Sequence, residues 1–378
     1  MPDLYRVVMV AVLVLNAGSS SLKYQVVEPD GTRHVKGLVE RVADTGFPAA
    51  LARMTSELDR AGLSPASLAA VGHRVVHGGP DFSDPVLVTD EVLATIAELS
   101  RFAPLHNPPA VAGIRAAREE FPDLPQAAVF DTAFFASLPA ASATYAIDAG
   151  VAAEHGIKRY GAHGTSHRYV SAAAAAFAGR PLDGLRQIVL HLGNGASATA
   201  LRSGGPVDTS MGLTPLEGLV MGTRGGDVDP GVLLHLLRAG LDADELEDLL
   251  VHRSGLLGMV GLSDFRDLRS AIEAGDDAAR SAYDVYVHRL RKYVGAYLAV
   301  LGGADQLIFT GGVGEHHPTV RASVLSGQSA FGLTLDPARN TADTDGPREI
   351  SLPGAPVQVL VVPTDEELEI ARQVTSLL

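Results

Sequence analysis

Short apolar runs alternate with stretches of helical periodicity along almost the whole chain. The apolar runs predict β-strands at 12–15, 22–27, 69–76, 127–130, 188–192, 197–201, 306–309 and 357–362. Apolar residues at helical spacing predict α-helices at 109–120, 166–178, 230–239, 243–251, 278–301 and 366–378. In the longest helix one stripe predicts a core face, made of Val285, Tyr286, Leu290, Tyr293, Val294, Tyr297 and Leu301. Strands that alternate with helices in this way predict an α/β protein.

Three predicted strands end in loops of small residues. Residues 12–26 read VLVLNAGSSSLKYQV, and this stretch alone is compatible both with a plain turn and with a phosphate-binding loop. Residues 188–201 (IVLHLGNGASATAL) repeat the strand, loop and strand, and residues 307–315 (LIFTGGVGE) place glycines after another apolar run. Three such loops after buried strands predict two related domains that close on a nucleotide phosphate chain.

Composition narrows the class of protein. The chain has 378 residues, of which 46% are hydrophobic and 20% charged, so about two domains are expected. Its 44 acidic and 30 basic residues give a net charge of -14 without a Lys/Arg-rich run, which argues against a nucleic-acid partner and favours small molecules. The chain has no cysteine, which excludes disulfides and thiolate chemistry.

The apolar run at 7–15 raises the question of a signal peptide. Because the run continues into a loop and an alternating strand, we interpret it as a central strand of a folded domain. No other run approaches the roughly 18 apolar residues of a membrane span. We therefore expect a cytoplasmic protein without a membrane partner.

Polar clusters stand at predicted strand ends or in loops, where a cleft collects functional groups. They are GHRVVHGG (72–79), PLHNPP (104–109), VFDTAF (129–134), RYGAHGTSH (159–167), MGTRGGDVDPG (221–231) and PTDEE (363–367). Together they supply arginines for phosphoryl oxygens, oxygen ligands for Mg²⁺ and polar groups that orient a nucleophile. These are the groups that phosphoryl transfer requires.

These strings, in this order, resemble the acetate kinase family, and the resemblance extends from about Val12 to the C-terminus. It implies an α/β fold of two duplicated ribonuclease-H-like (actin-like ATPase) domains with an interdomain active-site cleft. The expected domains are residues 1–134 with 368–378, and residues 135–367 for nucleotide binding and dimerisation. The implied reaction is reversible transfer of the ATP γ-phosphoryl to acetate, which gives acetyl phosphate and ADP, with Mg²⁺ or Mn²⁺, in a homodimer.

The resemblance also assigns catalytic roles. Arg74 would hold the substrate carboxylate and Arg224 the transferring phosphoryl group, since both can make bidentate contacts with oxyanions. His163 and Asn194 would line the phosphoryl path. Asp131 would orient neighbouring groups, because an ionised carboxylate substrate has no proton for a general base to remove.

Further residues are implied to bind ligands. Asn16 and Glu366 would serve the metal. The acyl methyl group would lie in a small apolar pocket of Val76, Leu105, Ala162 and Pro215. The nucleotide would be bound by Lys23, His191, Leu192, Gly193, Asn194, Gly195, Asp264, Phe265, Arg266, Gly311, Gly312, Val313, Gly314 and Glu315.

Three features depart from the family pattern. Asp365 stands where the family usually has Asn, which adds negative charge beside the expected metal ligand. The segment 261–267 is one residue shorter than usual, which bears on nucleotide selectivity, and residues 1–8 form an extension with a second possible start at Met9. Alternative functions are a propionate- or butyrate-preferring acyl kinase and a non-catalytic nucleotide-binding module. The roles of His106 and His167 stay open between functional and structural.

Overall fold

A computed structural model describes residues 11–342 and 344–378, so the N-terminal extension at 1–8 and the possible start at Met9 lie outside the described residues. The β-strands are β1 (Ala11–Ala17), β2 (Ser21–Val27), β3 (Arg33–Glu40), β4 (Leu68–Val75), β5 (Val86–Leu87), β6 (Gln126–Phe130), β7 (Arg186–Leu192), β8 (Ala196–Arg202), β9 (Gly205–Thr209), β10 (Gln306–Thr310), β11 (Arg348–Glu349) and β12 (Gln358–Val361).

The α-helices are α1 (Val42–Arg60), α2 (Asp90–Glu98), α3 (Asn107–Glu120), α4 (Ala140–Ala143), α5 (Ala149–His155), α6 (Gly164–Phe177), α7 (Pro230–Arg238), α8 (Ala243–His252), α9 (Gly255–Val260), α10 (Phe265–Glu273), α11 (Asp277–Leu301), α12 (Gly311–His316), α13 (Pro318–Leu325), α14 (Pro337–Thr341) and α15 (Glu366–Thr375). Short 3₁₀ turns occur at Pro65–Ser67, Leu99–Arg101, Asp131–Phe135 and Ser329–Phe331. Every helix predicted from periodicity is confirmed.

The chain divides into two units. The first runs to Ala136 and also includes Ala162–Thr165 and Asp365–Leu378, and the second comprises Ser137–Gly161 and Ser166–Thr364. Each unit contains one six-stranded mixed sheet.

The sheet of the first unit has the strand order β3-β2-β1-β4-β6-β5. Strands β1 to β3 pair antiparallel, β1, β4 and β6 pair parallel, and β5 pairs antiparallel with β6 at the edge. In the interior of this sheet lies β1, whose residues Ala11–Leu15 are buried, so the predicted central strand is confirmed for the part that the structure describes. Helices α1 and α3 complete this core with Leu51, Met54 and Ala117.

The sheet of the second unit has the order β11-β12-β10-β7-β8-β9. Strands β7 to β9 pair antiparallel, β7, β10 and β12 pair parallel, and β11 is an antiparallel edge strand next to β12. With β7 matched to β1, this order repeats that of the first sheet strand for strand. The duplication inferred from the recurring strand, loop and strand is therefore confirmed.

The long helix α11 lies against the sheet of the second unit and buries most of its predicted stripe. Tyr286, Leu290, Val294, Tyr297 and Leu301 are buried, in agreement with the helical period. The prediction is wrong at the first position of the stripe, because the side chain there points away from the core: Val285 is 44% exposed.

For three of the elements that the pattern analysis missed, the sequence shows the reason. Strand β3 is an exposed edge strand in which one residue, Val39, is buried, so it lacks an apolar run. Helix α1 contains Gly46, at φ 80°, and Pro48, which interrupt its periodicity. Strand β9 is short and includes Pro206. Among the described residues, no helix has the length and apolar character required to cross a membrane.

Candidate active site

In the first unit a buried ion pair stands at the carboxyl edge of the parallel strands. Arg74 lies near the end of β4 and Asp131 directly follows β6, and because these strands are parallel neighbours their carboxyl ends meet at one edge. Arg74 Nη2 donates to Asp131 Oδ2 at 2.7 Å and Nε to Oδ1 at 3.3 Å. Asp131 is buried and also accepts a hydrogen bond from Thr165 Oγ1 at 2.9 Å. The guanidinium is therefore fixed in orientation by a carboxylate that solvent does not reach.

A second carboxylate approaches the same arginine. Glu366 opens α15, and its Oε2 lies 3.7 Å from Arg74 Nε. Burial raises the pKa of Glu366, as do the neighbouring charges of Asp131 and Glu367, whereas Arg74 acts in the opposite direction. Burial alone would lower the pKa of Arg74, but Asp131 and Glu366 raise it above its ordinary value. The cluster thus holds one permanent cation between two carboxylates.

The residues beside this cluster are paired with one another. Asn16 and Lys23 are opposite residues of β1 and β2, and Lys23 Nζ lies 2.9 Å from Glu367 Oε1. Burial acts to raise the pKa of Glu367, but the Lys23 charge and hydrogen bond lower it overall. Asp365 caps α15 by accepting from the Leu368 N–H at 3.0 Å and forms an ion pair with Arg33. The extra negative charge at Asp365 is therefore matched by a cation in the same unit.

The predicted acyl-pocket residues differ in exposure. Ala162 is buried, Val76 is half-buried, and Leu105 is 43% exposed. His163 follows Ala162 with a left-handed backbone at φ 58°, an uncommon conformation for a residue with a side chain. In the second unit, the carbonyl of Pro215 accepts a hydrogen bond from Arg224 Nη1 at 2.9 Å.

Arg224 is half-buried in a loop that the second unit holds by backbone hydrogen bonds. The Met221 N–H donates to the Arg224 carbonyl at 2.9 Å, and the Ser254 N–H donates to the Thr223 carbonyl at 3.0 Å. Burial lowers the pKa of Arg224 from its ordinary value, and none of the carboxylates in the part of the chain that the structure describes forms an ion pair with it. Such a guanidinium is suited to bind an anionic ligand.

The loop after β7 is joined to the Arg224 loop. The Gly222 N–H donates to the Asn194 carbonyl at 3.0 Å, and the Gly193 N–H donates to the Gly195 carbonyl at 3.0 Å. A Cβ on Gly222 would lie 2.0 Å from Asn194 Oδ1, so any other residue there would displace the Asn194 side chain.

Hydroxyl groups connect the strand ends of the second unit. Ser166 Oγ lies 2.8 Å from His191 Nδ1 and 2.7 Å from Thr364 Oγ1. Beside them, His167 Nε2 lies 2.7 Å from Ser197 Oγ. Burial, and then the nearby His191, lower the pKa of His167 well below its ordinary value. His167 is thus a neutral, buried histidine, whereas His106 occupies the N-cap position of α3 without capping the helix through its side chain.

A cleft of about 520 Å³ in the second unit brings several predicted nucleotide-binding segments together. The predicted residues that line it are Gly193, Asn194, Asp264, Phe265, Arg266, Gly312 and Val313. Phe265 packs edge-on against Tyr286, with ring centroids 4.8 Å apart, so it presents a rigid apolar surface to the cleft. The volume falls within the range of small-ligand pockets.

Six other predicted nucleotide residues do not line the cleft. They are His191, Leu192, Gly195, Gly311, Gly314 and Glu315. Gly311 adopts φ 76°, and a Cβ there would lie 2.8 Å from the Leu192 carbonyl oxygen, so the sharp turn into α12 requires glycine.

Four cleft residues were not predicted from the sequence. They are Gly222, Ser263, His316 and His317. All four lie in or beside strings already singled out in the sequence: Gly222 in MGTRGGDVDPG, Ser263 in the segment 261–267, and His316 and His317 directly after GGVGE. For His316 and His317, the position next to a glycine loop, rather than the residue type, indicated a place in the cleft.

The fold and the site now define a class. Two mixed sheets with the same strand order form a duplicated ribonuclease-H-like fold of the actin-like ATPase type.

Comparisons with known proteins identify the family within that class. The sequence profile of the Acetokinase family matches residues 42–372. The crystal structure of Porphyromonas gingivalis acetate kinase is similar at 43% identity and a TM-score of 0.91, covering 97% of this chain and 99% of that one. A propionate kinase from Francisella tularensis (37% identity, TM-score 0.89) and acetate kinase from Entamoeba histolytica (31%, 0.86) are similar over the same shares of each chain, 97% and 99%. The chain belongs to the Acetokinase family, and it is therefore a short-chain acyl kinase of a family that uses ATP and ADP as co-substrates.

Proposed function

We propose that the protein transfers the γ-phosphoryl group of ATP to acetate, reversibly and by direct in-line transfer, to form acetyl phosphate and ADP. The observation that carries the proposal is the fixed guanidinium of Arg74. Asp131 engages its Nε and Nη2 atoms, while Nη1 makes no hydrogen bond to any of the described residues. A permanently charged, oriented donor group is therefore available for the carboxylate of a small acid.

The remaining catalytic roles follow from chemistry and contacts. Asp131 is an orienting group, because both of its oxygens hold Arg74 and Oδ1 also accepts from Thr165. Arg224 stabilises the charge that spreads over the phosphoryl oxygens, which its lack of a carboxylate partner among the described residues supports. His163 and Asn194 line the phosphoryl path.

The nucleotide is proposed to bind at the 520 Å³ cleft of the second unit. Phe265 offers an apolar face for the base, and the glycines near Asn194 and at Gly312 allow close approach of phosphates to the backbone. Lys23, in the first unit, is paired with Glu367, and a role toward the phosphates would require it to exchange that partner.

Magnesium is proposed as the metal, with Mn²⁺ as a substitute. Residues 11–342 and 344–378 contain no cluster of three or more His, Asp or Glu side chains that could hold a metal ion by themselves. Mg²⁺ does not require such a cluster, because protein sites usually bind it through one or two side-chain oxygens together with nucleotide phosphates and water. Asn16 and Glu366 would hold it. Burial, and then the like charges of Asp131 and Glu367, raise the pKa of Glu366, and a bound cation would offset those like charges. When bound, the metal would neutralise charge on the phosphoryl oxygens.

Acetate is proposed as the preferred acid over propionate and butyrate. Ala162 is buried and small, so the apolar end of the substrate has room for a methyl group and some more. One methylene changes binding by only about 1–3 kcal/mol. We therefore expect measurable activity with propionate, in line with the similarity to a propionate kinase.

A second copy of the chain is the proposed partner, in a cytoplasmic homodimer. Helix α7 has no buried residue, and apolar side chains remain exposed along it and before it, namely Val228, Val232, Leu234 and Leu237. An apolar face of this kind is typical of an interface between subunits. The use of ATP and ADP is consistent with a cytoplasmic location.

The test is an acyl hydroxamate assay with Mg-ATP and hydroxylamine, supplied in turn with formate, acetate, propionate and butyrate. The proposal expects the highest rate with acetate. A higher rate with propionate or butyrate would show that the preferred substrate is that longer acid rather than acetate. No hydroxamate with any acid, from a protein that binds ADP, would instead indicate a non-catalytic nucleotide-binding module.

A further inference from the structure

Arg321 is the largest side chain in the interior of the described residues, and it belongs to α13 behind the nucleotide cleft. It is 1% exposed. Its Nη1 donates to the carbonyl oxygens of Gly314 and Glu315 at 2.8 and 2.9 Å. Its Nε and Nη2 donate to the Oδ1 and the carbonyl of Asn340 at 2.8 and 2.7 Å. The guanidinium therefore joins the last turn of α12 to α13 and α14.

The opposite end of α12 is held by a carboxylate. Glu315 Oε1 accepts from the Gly311 N–H at 2.8 Å, and it also accepts from the Thr310 hydroxyl and the Thr364 N–H, each at 3.3 Å. Helix α12 is only six residues long, so these two side chains fix both of its ends. The same helix supplies Gly312, Val313 and His316 to the wall of the cleft.

A buried guanidinium is a costly way to fill space. Burial, and then the charge of Arg348, lower the pKa of Arg321 to about 10, so it stays protonated at neutral pH. An apolar side chain of similar volume would pack the same space without the cost of desolvating a cation. An apolar side chain, however, cannot donate hydrogen bonds to the carbonyl groups at the end of α12.

We propose that Arg321 is a positioning residue for the nucleotide: it fixes α12 so that the cleft keeps the shape that ADP and ATP require. The inference rests on the proposed nucleotide site. Arg321 contacts α12 through backbone atoms, so it acts through the helix. Loss of its donors removes the side-chain partner of the Gly314 carbonyl and one of the two side-chain partners of the Glu315 carbonyl, the other being Arg348 Nη2 at 3.0 Å. Helix α12 can then shift, which weakens nucleotide binding without a direct effect on the acid substrate.

The experiment compares Arg321→Met and Arg321→Lys with the wild-type protein by calorimetric titration of ADP with Mg²⁺. Arg339→Met on α14 is the matched control, because Arg339 is 43% exposed and its contact is an ion pair with Asp336. We expect Arg321→Met to raise the Kd for ADP by about tenfold or more, since two or more charged hydrogen bonds are lost. Arg321→Lys should give an intermediate Kd because its ammonium cannot bridge both helices. The control should stay within about twofold, as expected for a surface ion pair.

The KM for acetate distinguishes a role of Arg321 in positioning the nucleotide from a role in the stability of the whole protein. Positioning predicts a raised Kd for ADP with a KM for acetate close to that of the wild type, in protein that melts cooperatively. If Arg321→Met does not fold, the same comparison on Arg321→Lys decides. A lower melting temperature with an unchanged Kd for ADP in the folded variant would overturn the inference. If the wild-type protein itself failed to bind ADP, the proposed function would fall together with the inference, whereas equal binding by wild type and variant removes the inference alone.

Discussion

Replacement of Arg74 by alanine should destabilise the first unit as well as impair catalysis. Asp131 is 1% exposed, and Arg74 supplies two of the hydrogen bonds to its carboxylate. Removing one partner of a buried ion pair leaves the other charge without compensation, which costs about 3–5 kcal/mol. Arg74→Ala should therefore lower the free energy of unfolding by that amount in urea titrations followed by far-UV circular dichroism, at pH 7 and with an unchanged slope.

The double variant Arg74→Ala/Asp131→Asn measures how much of this loss comes from the unpaired charge of Asp131. The asparagine has no net charge to leave unpaired, so the double variant should recover about 2 kcal/mol of the loss, which is within the range of couplings measured between contacting residues. Arg118→Ala is the control, because Arg118 pairs with Asp90, whose side chain is 91% exposed. It should change stability by less than about 1 kcal/mol.

The kinetic effect of Arg74→Ala is specific for the acid. If Arg74 binds the carboxylate in the ground state, its loss should raise the KM for acetate by about 100-fold, the equivalent of about 2.7 kcal/mol, while the KM for ATP changes little. The hydroxamate assay, with each substrate varied in turn, measures both constants. A folded Arg74→Ala protein with unchanged stability would refute the buried-pair argument, and equal changes in the two KM values would refute the assignment of Arg74 to the acid.

Further predictions concern the phosphoryl group, the acyl end, the free surface and pH. Arg224→Ala should lower kcat by up to roughly 10³-fold and leave both KM values nearly unchanged, as in other phosphoryl transfers, and near-normal kcat in a folded variant would contradict this. Ala162→Phe should reduce propionate turnover more than acetate turnover, whereas equal reductions would place the residue outside the pocket. Leu234→Asp on the exposed face of α7 should shift the elution volume toward that of a monomer in size-exclusion chromatography. Burial lowers the pKa of His73 to about 4, so below pH 6.5 the unfolded chain binds a proton that the folded chain does not, and stability should fall by about 2 kcal/mol between pH 6.5 and 5. His73→Gln, which can still donate to Gln126, should flatten that loss in urea titrations at the two pH values.

The elements that could be predicted from the sequence are those that bury one continuous face. Helix α11 buries Tyr286, Leu290 and Val294 against its own unit, and the helical period in the sequence reports this burial directly. Strand β3 could not be found in the same way, because seven of its eight positions are exposed or half-buried. Its place is set by antiparallel pairing with β2 through the backbone, which leaves no apolar pattern.

Site residues could be named from motifs, but their partners could not. Arg74 and Asp131 are 57 positions apart, and Arg33 and Asp365 are 332 positions apart. Both pairs depend on which strands and helices become neighbours, and that information lies in the sheet register rather than in either motif. Asp365 shows the consequence: the sequence indicates added negative charge beside the expected metal ligand, whereas the fold pairs that charge with Arg33. The assigned roles themselves stay predictions until the variants are measured.

The duplicated strand order places different residues at equivalent strand ends of the two units. Strands β4 and β10 hold equivalent places in their sheets, as do β6 and β12. In the first unit the ends of β4 and β6 carry Arg74 and Asp131, which form a buried ion pair. In the second unit the end of β10 carries Gly311, whose turn no other residue could make without a clash with the Leu192 carbonyl. Because the sheet fixes the backbone at these positions, the residue that leaves each strand can differ between the two units while the strand order stays the same. The motifs can be short because the common fold already positions each strand. A motif then determines only the first residues after the strand.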